Sequence, residues 1–143
     1  QISPLGVEAL CVPAYLPQGT TDPLSGADVF TANLNKLGLD ERFSATLVSS
    51  DPTPPAIGNN TWTLEVHDAE GNPAEGCTIH AGTWMPDHHH GSPIVAQSTD
   101  LGAGRYEISP IEFFMPGLWE ITVNVEDSDG VKDVVVYKFW ING

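Results

Sequence analysis

Residues 119–141 read WEITVNVEDSDGVKDVVVYKFWI, and this stretch decides the fold class. Trp119, Ile121, Val123 and Val125 alternate with Glu120, Thr122 and Asn124, the two-residue period of a strand with one buried and one wet face. Asp129-Gly130 follows, the strongest short hairpin signal, because a tight turn needs residues that accept positive φ. The chain then runs back with Val135, Tyr137, Phe139 and Ile141 on the expected core face. Two such runs joined by a tight turn form an antiparallel pair.

Working backward, the same grammar recurs. Gly104–Ile108 places Tyr106 and Ile108 on one face, and Cys77–Trp84 reads as a further strand. Thr61–His67 alternates Trp62, Leu64 and Val66 against Thr63, Glu65 and His67, with Asp68–Pro73 as its turn. Phe43–Ser49 is the first strand of the series, whereas Asp51–Gly58 (DPTPPAIG) is excluded from a sheet interior because proline cannot donate to a ladder. Glycine and proline, 14 and 12 of 143 residues, supply the turns. Short strands at this spacing predict an all-β domain, an immunoglobulin-like antiparallel β-sandwich of about seven strands, over residues 43–143. Residues 1–42, with Pro4, Pro13, Pro17 and Pro23, read as an extended N-terminal arm of little regular structure. One short helix is expected within the arm, over Asp28–Lys36.

A chain of 143 residues is one domain's worth. Five Lys and Arg against 19 Asp and Glu give a net charge of −14 and a pI near 4.3. Lys36, Arg42, Arg105, Lys132 and Lys138 are too few and too scattered to neutralise a row of phosphates. Nucleic acid and anionic membrane surfaces are thereby excluded as partners, while cations are attracted. No apolar run reaches the roughly 18 residues of a membrane span. Cys11 and Cys77 are consistent with one disulfide, closing a loop of roughly 65 residues and worth about 4 kcal/mol in the chain-entropy account. Two reduced buried thiols are the alternative.

Trp84–Pro93, WMPDHHHGSP, is unlike an ordinary loop: it holds Met85 and three histidines between Pro86 and Gly91. The second of two methionines, Met115, sits in Phe113–Trp119, FFMPGLW, again followed by proline and glycine. Imidazole binds copper, zinc, nickel and iron, whereas a thioether adds selectivity for copper, above all Cu(I). In extended backbone, residues two apart project to the same side, so His88 and His90 can share one ion while His89 points away. The expected donor set is His88, His90 and Met115, with Met85 as a fourth. A solvated histidine cluster that binds nothing is the plain alternative. Zinc is the rival ion, since His88, His90 and Asp87 make a plausible zinc set, leaving the methionines as packing. His67 reads as a solvent-facing strand residue; His80 is either a core histidine or a support for a ligand. Asp127–Gly130 lacks the remaining positions of a calcium loop and reads as a turn. Nucleophile elbow, phosphate-cradling glycine loop and HExxH are all missing. No enzyme is expected, and Cys77 reads as structural.

Met85–Gly91, Gly104–Tyr106 and Phe114–Trp119 together resemble the YtkA-like (FixH/YtkA-type) domain family, over roughly residues 43–142. The resemblance implies a β-sandwich exported from a bacterial cell, periplasmic or secreted, with any N-terminal signal or anchoring segment removed. It also implies copper held by His88, His90 and Met115, with Met85 possible as a ligand. The expected function is a copper chaperone, buffer or donor, whose partner is a copper-dependent enzyme or transporter. The competing expectation is an immunoglobulin-like interaction or adhesion module with an incidental or zinc-binding histidine cluster. A blue-copper electron carrier needs a thiolate beside two histidines, and Cys77 is too far away in the pattern to provide it.

Overall fold

A computed structural model describes residues 26–143. It is all-β, with eight antiparallel strands: β1 (Leu34–Leu37), β2 (Phe43–Asp51), β3 (Gly58–Asp68), β4 (Thr78–Trp84), β5 (Ala96–Gly102), β6 (Arg105–Phe113), β7 (Gly117–Glu126) and β8 (Lys132–Ile141). They form one ladder in the order β1-β2-β3-β6-β5-β4-β7-β8. β4 and β5 pair at only two positions, His80 opposite Gln97 and Ala81 opposite Ala96. There the sheet folds over, setting β4-β7-β8 against the remaining strands. At the opposite side the ends meet: the Tyr137 hydroxyl of β8 donates to the Ala45 carbonyl of β2 at 2.8 Å, and Leu39 N donates to Val134 O at 2.8 Å. The result is an antiparallel sandwich closed almost into a barrel.

The alternation seen in the sequence is what fills the interior. Trp62, Leu64 and Val66 from β3, Tyr106 and Ile108 from β6, Trp119 to Val125 at every second position of β7, and Val135 to Ile141 likewise in β8 are all buried. Trp62 lies at the centre, edge-on to Tyr137 at 5.4 Å and to Phe139 at 5.6 Å, an arrangement that matches the positive ring edge to the negative ring face.

The arm expected over residues 1–42 falls partly outside the described residues, as does Cys11. Cys77 is a free, buried thiol here; burial pushes it above the ordinary thiol range, although a hydrogen bond with Tyr106 works against that shift. The helix expected over Asp28–Lys36 does not form. Asn33 adopts a left-handed φ of 58°, which breaks any helical turn, and Leu34–Leu37 leave it as β1, paired to β2. Asp28 instead lies along β8: its N donates to Lys138 O at 2.6 Å, and its carboxylate accepts from Lys138 N at 2.8 Å and Lys36 Nζ at 2.7 Å. No helix among the described residues is long and apolar enough to cross a membrane.

Candidate metal centre

The loop leaving β4 turns back on itself within six residues. Met85 N donates to His90 O at 2.7 Å, and Met85 O accepts from His88 N at 3.1 Å and His89 N at 2.9 Å. The Met85 carbonyl therefore gathers the turn from inside. His89 sits in the left-handed region at φ 54°, so residues 88–90 are a tight turn and not the extended segment expected from the sequence. His88 and His90 therefore do not project to one side as alternate residues of a strand would, yet the two rings still come together: their centroids are 5.6 Å apart at an interplanar angle of 31°. Two imidazoles bound to one ion by bonds of about 2.0 Å have centroids roughly 5 to 6.5 Å apart.

His88 and His89 are exposed and His90 is half-buried. His90 Nδ1 is shielded from solvent and has no hydrogen-bond partner. A buried ring nitrogen left unpaired costs free energy, and a water, a proton donor or a cation would relieve that cost.

The second wall is the β6–β7 connection. Phe114 stacks on His90 at 5.5 Å and 23°. Met115, the next residue, is partly buried against the core, and its carbonyl accepts a 2.9 Å bond from Trp119 Nε1. Met85 is fully buried beneath the turn. Its terminal methyl lies so close to Gly117 that a Cβ there would come within 2.7 Å of it. The structure thus brings His88, His90 and the Phe114–Met115 segment to one end of the sandwich, with Met85 as the floor. Among the described residues, no three His, Cys, Asp or Glu side chains are placed to hold an ion together; Asp87 does not complete a zinc set with the two histidines. His80 faces outward from β4 and is exposed, so it is not a core histidine. His67, half-buried, is 3.5 Å from Glu65 through Nε2. Asp127 caps its own turn, its Oδ1 accepting from Asp129 N and Val131 N.

Gly91 is what lets the turn close against β4. A Cβ there would stand 2.0 Å from the Thr83 carbonyl oxygen, and a backbone atom cannot swing aside as a side chain can. Gly91→Ala is expected to push the Met85–His90 pair apart and to cost about 1–3 kcal/mol. The denaturant midpoint measures that cost, and loss of close contacts between the His88 and His90 rings in proton NMR reports the opened turn.

Phe114 is the contact that sequence reasoning missed. The sequence signal was its place in FFMPGLW beside Met115, but an aromatic residue carries no donor atom and reads as core.

An antiparallel sandwich with a histidine turn and a methionine-bearing strand connection at one end defines the class of this protein. Its chain matches the YtkA-like family over residues 40–124, a stretch running from the turn before β2 into β7 and including Met85, His88, His90 and Met115. The protein belongs to the YtkA-like family; β1 and β8 lie outside the match. No curated protein and no solved structure matches the chain.

Proposed function

We propose that this protein is an exported copper carrier that receives and hands on copper through His88, His90 and Met115, without enzymatic turnover. The observation that carries the reading is His90, whose buried Nδ1 lacks a partner while its ring sits 5.6 Å from that of His88. Two imidazoles alone make a weak site. Among the described residues no carboxylate or thiolate completes a three-donor set. The donor this reading adds is the thioether of Met115, next in the chain to the Phe114 that stacks on His90; a thioether selects for copper. Met85 belongs to the floor, and becomes a ligand only if the turn rises from the core. Copper is the cargo. A turn open on its His88 side lets a partner's donors replace these ligands one at a time, so that the ion never has to be fully released. The chain's net charge of −14 keeps cations concentrated around the mouth of the site.

The test is a competition titration of Cu(I) against a chelator of known affinity, for the wild type and Met115→Leu. Leucine keeps the apolar volume and removes the sulfur. Affinity is expected to fall about 10-fold or more in the variant, and His88→Ala/His90→Ala should abolish binding. Equal weak binding of Zn(II), Ni(II) and copper by wild type and Met115→Leu would instead support an interaction module with an incidental histidine cluster.

A further inference from the structure

One side chain packed on the histidine turn has no donor atom. Phe114 stacks on His90 in an offset arrangement, ring centroids 5.5 Å apart at 23°, and meets Trp119 edge-on at 5.2 Å and 87°. Trp119 is fully buried and acts as a fixed wall. Phe114 itself is 45% exposed, an apolar ring kept at the surface with one face committed to an imidazole. That position has two physical consequences. The offset stack limits rotation of the His90 ring about its χ2 and so favours one direction for its nitrogens. Water is also kept from the His90 side of the turn, which agrees with the solvent-shielded Nδ1.

The hydrocarbon around a metal centre controls its solvent access and effective dielectric, and with them the relative stability of its oxidation states. A divalent ion loses more on leaving water than a monovalent one, and Cu(II) favours tetragonal nitrogen and oxygen donors, waters included. Cu(I) is satisfied by few, soft donors. We propose that Phe114 is a positioning residue that holds the His90 imidazole and screens it from water, so that the centre takes Cu(I) in preference to Cu(II). This rests on the copper reading above and specifies the oxidation state of the cargo.

The experiment uses the full chain as wild type, Phe114→Ala and Phe114→Tyr. Cu(I) and Cu(II) affinities are measured separately by chelator competition. The ratio of Cu(I) to Cu(II) affinity is expected to fall about 10-fold in Phe114→Ala and to stay near wild type in Phe114→Tyr, which keeps the ring. A copper-free measurement accompanies it: the His90 ring protons should show upfield ring-current shifts in wild type and Phe114→Tyr, lost in Phe114→Ala. An unchanged affinity ratio in Phe114→Ala, or unchanged His90 ring shifts, overturns the role of Phe114 while leaving the copper reading in place. A wild type that binds neither copper ion overturns both.

Discussion

Replacing Asp133 with alanine is expected to remove about 3 kcal/mol of stability at neutral pH, although the residue sits far from the histidine turn. Its carboxylate joins the β1–β2 turn to the start of β8. Oδ1 accepts from Asp40 N at 2.9 Å and Val134 N at 2.7 Å; Oδ2 accepts from Arg42 N at 2.8 Å and Phe43 N at 3.1 Å. The residue is only 3% exposed, so the bonds form with little competition from water. Alanine orphans these donors, each worth about 1–3 kcal/mol when fully buried, less where solvent reaches Asp40 and Arg42. Asparagine is no rescue, because one of its two terminal atoms is an NH₂ that would face two N–H donors. Glutamate is excluded by the tight fit: a Cβ on Gly38 would stand 2.0 Å from Asp133 Oδ2.

The pH dependence follows with a definite sign. Burial by itself would raise the Asp133 pKa, but four backbone N–H donors outweigh it and hold the group below the usual carboxylate range. A depressed folded pKa means that the unfolded chain takes up the proton first. The contribution is therefore complete above the unfolded value of about 4 and is lost as the pH falls through the folded value. Denaturant midpoints of wild type and Asp133→Ala should differ most at pH 7 and converge on acidification below pH 4. A gap that persists undiminished well below that range would show the loss to be one of packing and not of the carboxylate.

The strands that could be read from the sequence are those whose inward positions are large and apolar. In β3, β7 and β8, Trp62 to Val66, Trp119 to Val125 and Val135 to Ile141 occupy alternate positions, and a shift by one residue would expose every one of them. β5 has no such signature: of Ala96–Gly102 only Ala96 is buried, and the segment is a strand because β6 supplies its ladder partners. β1 is four residues long, too short for a period to declare itself, so the architecture has eight strands where six or seven could be counted. At the histidine turn, residue types signalled ligand chemistry, but backbone conformation was out of reach. Nothing in HHH marks the middle residue as left-handed, since that follows from the Met85 carbonyl gathering two amides beneath it. Whether Met85 faces the histidines or the core is likewise not written in the sequence; it follows from the packing of its methyl against Gly117.

Trp119→Ala is expected to cost about 3–5 kcal/mol, and to damage the site as well as the core. The indole is fully buried and packs edge-on against Phe113 at 5.3 Å as well as Phe114, so its removal leaves a cavity where β7 begins. It also loses the Nε1 bond to Met115 O, a polar tie between the methionine-bearing connection and the sheet. Trp119→Phe separates the two effects. It keeps most of the hydrocarbon and removes only the N–H, at about 1 kcal/mol for the hydrogen bond plus a smaller cavity. The denaturant midpoint of Trp119→Phe should therefore drop far less than that of Trp119→Ala, with the m-value unchanged in both. Cu(I) affinity discriminates further: Trp119 also backs Phe114, so a weakened Cu(I) affinity in Trp119→Phe, measured well below its melting temperature and with the His90 ring shifts unchanged, would trace to a Met115 no longer held in place. If Trp119→Phe binds Cu(I) as the wild type does, Met115 is placed by its packing against the core alone, and the indole serves stability without serving the metal.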